Sequence, residues 1–203
     1  MEDFYFKIRN NRLLNLFVML LRLLIGFAFI PSGYKKLINH RFTSLGTDTQ
    51  IGFFFEGLYQ SGSYWQFLGF VQIFAALLLM TQRFATVGNM LFFGIISNIC
   101  IITFSMHFSG TVVITSLLVM SSLFLMFWDF HKIKYLFQKD NFSIQNLNYD
   151  LKSYHKIWIY MGFILFLLSL LISACNLSVL GNRIAMAFLC VIVLYCIIYT
   201  SIK

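Results

Sequence analysis

Residues 13–31 read LLNLFVMLLRLLIGFAFIP, an apolar run of 19 residues with a single charged residue, Arg22. About 17–25 apolar residues are needed for a helix to cross the roughly 30 Å hydrocarbon core of a bilayer. Such a segment must be helical, because lipid offers no partner to an unpaired backbone N–H or C=O group. The run therefore predicts a membrane-spanning helix near the N-terminus.

The composition of the whole chain agrees with a membrane protein. Of its 203 residues, 60% are hydrophobic and 11% are charged, whereas soluble domains average about 45–50% and 25%. Further apolar runs follow at residues 65–80, 84–104, 112–128, 157–175 and 184–200. We therefore predict an all-α membrane protein with six spans.

The basic residues predict the orientation of these spans, since Lys and Arg concentrate in cytoplasmic loops. With the N-terminus inside, ten basic residues face the cytoplasm and four face outward, namely Lys35, Lys36, Arg41 and Arg183. We predict a multi-pass protein of the cytoplasmic membrane with both termini inside. The net charge of +8 is then a topology signal. Because the chain has so little polar surface, we expect the lipid bilayer and not nucleic acid as its partner.

The spacing of the runs divides the chain into three parts. Three residues separate the second run from the third, and about seven separate the third from the fourth. These helices must therefore be antiparallel neighbours. We predict a four-helix unit over residues 1–130, a polar cytoplasmic connection over residues 131–156, and a C-terminal helix pair over residues 157–203.

The connection between the first two spans, residues 32–64, is too long for a simple turn. Within it, Thr47 and Gln50 fit a capping box, in which each side chain satisfies a backbone N–H group of the other residue. We predict a short helix over residues 51–60. Its many aromatic residues indicate that it lies in the outer membrane interface or dips into the bundle.

Arg22 is the most unusual residue of the first run, because it lies about 13 Å along the helix from the start of the run. An arginine at mid-membrane costs about 2.5–3.5 kcal/mol on insertion scales, which the surrounding apolar residues outweigh. Arg22 shares one helix sector with Gly26, Gly33 and Lys36. Either Arg22 faces the bundle interior and requires a partner, or the helix begins later and Arg22 extends to the cytoplasmic interface.

Glu56 is the carboxylate that we consider as a partner for Arg22 or Lys36. It is one of two acidic residues between positions 4 and 128. If the short helix over residues 51–60 dips inward, Glu56 could neutralise one of the two cations. If that helix lies flat in the interface, Glu56 is solvated.

Three amides lie centrally in the second and third runs, and they are Gln72, Asn89 and Asn98. Hydrogen bonds between membrane helices contribute about 0.6 kcal/mol on average. We expect these amides to hold helices together, with a solute path or a lipid head-group site as the alternative.

Motifs for catalysis, metal binding or cofactor attachment are missing from the sequence. The four cysteines form no C-x-x-C pair, and the four histidines lie in loops or at the ends of runs. The sequence contains no P-loop, no dinucleotide fingerprint and no nucleophile elbow. We therefore identify no cofactor, no metal site and no catalytic residue.

Two short motifs resemble the DoxX-like family of membrane proteins. The first is the spacing of that family's opening helix, represented here by Arg22, Gly26, Gly33 and Lys36. The second is the segment GFVQ at residues 69–72 with TQR at residues 81–83, which is similar to the family's second helix. The resemblance covers about residues 13–130. It departs from the family at Gln72, where members commonly carry Glu.

The resemblance implies a bacterial inner-membrane protein with a four-helix bundle as its core, of a kind that some relatives associate with membrane redox complexes. We expect a non-catalytic subunit or scaffold, whose partner is a membrane or soluble oxidoreductase. A quinone-linked redox subunit is one alternative, and it requires an apolar slot near Arg22, Gln72 and residues 53–55. A small-solute transporter is another, and it requires a water-lined path at mid-membrane.

Overall fold

The structure, a computed structural model, describes residues 11–108, 110–130, 132–133, 152–175 and 179–202. These residues fold into helices, so the prediction of an all-α protein is confirmed. In chain order the helices are α1 (Arg12–Leu37), α2 (Gln50–Gln60), α3 (Ser63–Met80), α4 (Ala85–Ser105), α5 (Thr111–Trp128), α6 (Lys152–Ala174) and α7 (Val179–Ile202).

Five of these helices are long and apolar enough to cross a membrane, and they coincide with the first five predicted runs. They are α1, α3, α4, α5 and the part of α6 from Lys156 to Ala174. The chain is therefore a multi-pass membrane protein. Helix α7 covers the sixth run, but its apolar part in the described residues, Ile184–Tyr195, is shorter than a span requires. The sixth span and the orientation of the termini stay predictions.

Helix α1 is longer than predicted, because Pro31 lies inside it and does not end it. A proline removes one backbone hydrogen bond, but membrane helices tolerate this loss where neighbouring groups compensate. At the start of the helix, the Asn11 side chain accepts a hydrogen bond from the Leu13 N–H group at 3.0 Å. Because α1 continues to Leu37, it carries Arg22 and Lys36 on one continuous helix.

Glycines determine how closely α1 packs against α3. A Cβ atom on Gly26 would lie 2.5 Å from Met80 Cγ, and one on Gly69 would lie 2.5 Å from the backbone nitrogen of Leu37. The two backbones approach so closely because these positions carry no side chain. Arg22, Gly26, Gly33 and Lys36 are all buried. The sector that they share therefore faces the interior of the bundle.

One apolar core joins the N-terminal helices to α6. Phe29 of α1 contacts Phe92 of α4, with ring centroids 4.5 Å apart, and Trp158 of α6 belongs to the same cluster. A Cβ atom on Gly162 would collide with the Met80 carbonyl oxygen, so α6 packs directly on the end of α3. The predicted domain division at residues 131–156 falls mostly outside the described residues and stays a prediction.

Helix α2 agrees with the predicted short helix but begins with a different cap. The N-cap is Thr49, whose hydroxyl accepts a hydrogen bond from the Gly52 N–H group at 3.1 Å. The same hydroxyl donates to the Gly46 carbonyl at 3.0 Å. The predicted capping box at Thr47 was therefore wrong by two residues, because the turn at Gly46 places the Thr49 hydroxyl at the helix start.

Candidate functional site

The first polar site lies where the α3–α4 turn and the end of α5 meet α1. Arg22 Nη2 donates a hydrogen bond to Asp129 Oδ2 at 2.6 Å, and Arg22 Nη1 donates to Gln82 Oε1 at 3.2 Å. The Thr86 hydroxyl also donates to Asp129 Oδ2, at 3.1 Å, and Lys132 Nζ lies 3.5 Å from Asp129 Oδ1. We call these five residues the Arg22 cluster.

The Arg22 cluster ties α1 to two other parts of the bundle. The side chains of Arg22 and Asp129 are only 9% and 2% exposed, so the ion pair lies away from solvent. Gln82 Nε2 also donates to the Met19 carbonyl at 3.3 Å, which fastens the α3–α4 turn to α1. Removing one partner of a buried ion pair costs about 3–5 kcal/mol. The cluster therefore joins three elements, and the loss of either charge would leave the other buried without its partner.

Asp129, not Glu56, is the carboxylate that pairs with Arg22, so only the alternative in which Glu56 neutralises a buried basic residue was wrong. Arg22 is buried in the bundle, so it faces the interior and has a partner there, as the first of the two alternatives expected. Helix α2 holds Glu56 beside Arg41, and Glu56 therefore neutralises neither Arg22 nor Lys36. Arg41 Nε and Nη2 donate to the two carboxylate oxygens of Glu56, both at 2.9 Å.

The Arg41–Glu56 pair lies outside the membrane-spanning helices. Hydrogen bonds from Arg41 lower the pKa of Glu56 below its ordinary value. Hydrogen bonding to Glu56 in turn raises the pKa of Arg41. The Arg41 side chain is 61% exposed, and exposed pairs of this kind stabilise proteins little. The pair joins the loop after α1 to α2.

The second polar site lies near the other end of the contact between α1 and α3. Lys36 Nζ donates hydrogen bonds to Ser32 Oγ at 2.6 Å and to Gln72 Oε1 at 3.0 Å. It lies 4.6 Å from the Phe42 ring centroid and 5.2 Å from that of Trp65. We call these five residues the Lys36 cluster.

The loop after α1 covers the Lys36 cluster. Trp65 Nε1 donates to the His40 carbonyl at 3.0 Å, and the Phe42 ring contacts the Phe55 ring of α2 at 5.8 Å. Lys36 is 5% exposed. Its described partners are neutral oxygens and aromatic faces, which attract a cation but carry no net charge. The Lys36 amino group is therefore held without a carboxylate among its described partners.

The two asparagines of α4 have different environments. Asn89 Nδ2 donates to the Ser122 carbonyl at 2.9 Å, and the Ser122 hydroxyl donates to Asn89 Oδ1 at 2.8 Å. This reciprocal pair joins α4 to α5, as expected of a structural amide. Asn98 is exposed and donates to the Gly94 carbonyl of its own helix at 2.7 Å. Asn98 thus does not bond a second helix of the described chain.

A lateral groove of about 600 Å³ opens between α1, α6 and α7. The residues that line it are apolar or cysteine, and they include Phe17, Leu24, Phe27, Leu165, Met186 and Leu194. Leu24 and Leu194 are 63% and 56% exposed, so the groove opens sideways. In a membrane it would open toward the hydrocarbon chains of the lipids.

The structure separates the residues that the predicted quinone slot required. Gln72 belongs to the Lys36 cluster, whereas Arg22 lies 14 residues earlier on α1 than Lys36. This separation corresponds to about 21 Å along the helix axis. Arg22 and Gln72 therefore lie near different ends of the contact between α1 and α3, and the quinone-linked alternative stays a prediction.

Asp129, Gln82 and Ser122 were missed as site residues. A signal for Asp129 was available, because the predicted topology places the end of the fourth span and the start of the first on the same side. It places Glu56 on the opposite side. Ser122 lacks a comparable signal, since a serine within an apolar run is typical of many membrane helices.

Comparisons with known proteins identify no relative. No protein-family model, no curated protein and no solved structure matches the chain. The helices define the class, a multi-pass helical membrane protein. The resemblance to the DoxX-like family stays a prediction.

Proposed function

We propose that the chain is a non-catalytic subunit or scaffold of the cytoplasmic membrane, of DoxX-like type. In this proposal it holds a long hydrocarbon chain of a lipid or lipid-like molecule in the groove between α1, α6 and α7. The groove is the observation that carries the proposal, because its lining is apolar and its mouth opens sideways.

The dimensions of the groove support a hydrocarbon ligand. It follows α1 from Phe17 to Phe27, which corresponds to about 15 Å along the helix. That length is about half of the roughly 30 Å hydrocarbon thickness, or one leaflet. Its volume of about 600 Å³ also lies within the usual range of about 300–1,000 Å³ for ligand sites. A bound chain would be held by van der Waals contacts, since lipid provides no hydrophobic driving force.

The Arg22 cluster and the Asn89–Ser122 pair support the scaffold part of the proposal. In both, polar groups of the bundle bond to one another and join separate helices. This use of buried polar groups is structural, as in many membrane bundles. An oxidoreductase as the protein partner is suggested by the family resemblance.

Native mass spectrometry of the purified full chain tests the groove. Leu24→Trp places a bulky indole ring at the mouth of the groove. We expect the wild type to retain a lipid-like mass and Leu24→Trp to retain several-fold less. Leu117→Trp is the matched control, because Leu117 lies on α5 outside the groove and is 63% exposed, as Leu24 is.

The mass of the ligand distinguishes its sources. Phospholipid masses would support a lipid ligand, and a quinone mass with quinone absorbance would support the quinone-linked alternative. Equal retention by the wild type and both variants would contradict a role for the groove. Solute uptake by vesicles containing the protein would favour a transporter.

A further inference from the structure

Asn98 presents an amide to the surroundings at membrane depth. It is the fourteenth residue of α4, about 20 Å from Ala85 and about 10 Å from Ser105 by helical rise. It is exposed, and its one hydrogen bond within the described chain is from Nδ2 to the Gly94 carbonyl, at 2.7 Å. One amide hydrogen and Oδ1 therefore remain available to an outside partner.

Asn89 of the same helix provides a comparison, because its amide is hydrogen-bonded within the bundle. Both its donor and its acceptor bond Ser122, and Asn89 is 2% exposed. A polar group left in hydrocarbon without a partner is costly. For this reason such groups in membrane helices normally bond across a helix interface. The contrast points to a second helix that covers Asn98 from outside the chain.

The helix face around Asn98 is suited to such a contact. Gly94, Ile101 and Ser105 follow the helical repeat with Asn98 and are exposed. A Cβ atom on Gly94 would meet nothing within 4 Å, so another backbone could approach there closely. We call these four residues the Asn98 face.

We propose that the Asn98 face joins two copies of this chain in the membrane. The free groups of Asn98 are one donor and one acceptor, which are complementary to themselves across a two-fold axis. Residues 84–128 contain no Asp, Glu, Lys or Arg. Two identical Asn98 faces therefore meet without repulsion between like charges.

Single-molecule photobleaching of the labelled full chain in liposomes, over a series of protein-to-lipid ratios, tests this dimer. We expect dimers for the wild type and for Asn98→Gln, which keeps the amide. Asn98→Leu should weaken dimerisation by about tenfold, the factor expected for two interhelical hydrogen bonds of average strength. Gly94→Leu should weaken dimerisation at least as much, because the leucine side chain would hold the backbones of the two copies apart.

The control is Met120→Leu, a change at a 65% exposed position of α5 that should leave dimerisation unchanged. Gly94→Leu keeps the test decisive if Asn98→Leu folds poorly, since position 94 has open space in the single chain. A wild type that is monomeric at all ratios would overturn the proposal. Dimers unaffected by both substitutions, or a different membrane protein bound at this face, would also overturn it.

Discussion

The Arg22 and Lys36 clusters place two basic side chains on the same face of α1 and hold them in different ways. Arg22 meets the Asp129 carboxylate at 2.6 Å, whereas Lys36 meets Ser32, Gln72 and two aromatic rings. The first cluster pairs its buried basic side chain with a carboxylate, and the second surrounds its basic side chain with neutral groups. The difference predicts that the two ends of the contact between α1 and α3 respond differently when one partner is removed.

The largest effect should come from Asp129→Leu. This change removes the carboxylate from a buried arginine, so we expect the free energy of unfolding to fall by about 3–5 kcal/mol. Reversible unfolding in mixed micelles measures the change. The double variant Arg22→Met, Asp129→Leu should recover most of the loss, because no charge of the pair then remains buried. Equal losses in the single and double variants would show that the charge pairing is not responsible.

Lys36→Met should have a smaller effect, because it leaves only neutral groups behind. We expect a loss of about 1–3 kcal/mol from the unsatisfied Gln72 and Ser32 oxygens, measured in the same unfolding assay. Lys35→Met is the matched control. Since Lys35 is exposed, its replacement should change stability by less than about 0.5 kcal/mol.

Gln72→Glu gives the Lys36 cluster a carboxylate and tests whether this group explains the difference between the two clusters. In that background the cost of Lys36→Met should rise to about 3–5 kcal/mol, as at the Arg22 end. If Lys36→Met cost the same in the wild type and in the Gln72→Glu background, the absence of a carboxylate would not be what distinguishes the two clusters.

The smallest effect is expected at the exposed Arg41–Glu56 pair. Arg41 lowers the pKa of Glu56, so the pair stabilises the loop above the unfolded-state pKa. This stabilisation is lost as the pH falls through the folded-state pKa. Hydrogen exchange of residues 38–49, corrected for intrinsic rates, should therefore accelerate on acidification. Glu56→Gln should remove most of this pH dependence, whereas Asp48→Asn should preserve it.

The helices could be predicted from the sequence, because a bilayer requires long apolar segments with internally bonded backbones. The shared sector of Arg22, Gly26, Gly33 and Lys36 also followed, since it depends only on the 3.6-residue repeat. The C-terminal end of α1 could not be predicted from the sequence, because neighbouring helices determine whether a proline is tolerated.

The partner of Arg22 could not be derived from helical periodicity, because it depends on how antiparallel helices align along the membrane normal. Asp129 and Gln82 lie 107 and 60 residues from Arg22 in sequence. The outward orientation of the Asn98 side chain could not be predicted from the sequence either. Helix α4 has apolar residues on all sides and one asparagine on each of two faces, so the sequence pattern does not distinguish its inner face from its outer face.

Because α1 carries Arg22 and Lys36 about 21 Å apart along its axis, we expect their two clusters to lie near opposite surfaces of one membrane. Accessibility labelling tests this arrangement in a chain whose four native cysteines are replaced by alanine and which carries Thr47→Cys or Arg83→Cys, both at exposed positions. In cells with an intact cytoplasmic membrane, an impermeant maleimide should label Thr47→Cys. It should label Arg83→Cys only after the membrane is opened. Labelling of both positions from the same side would contradict the claim.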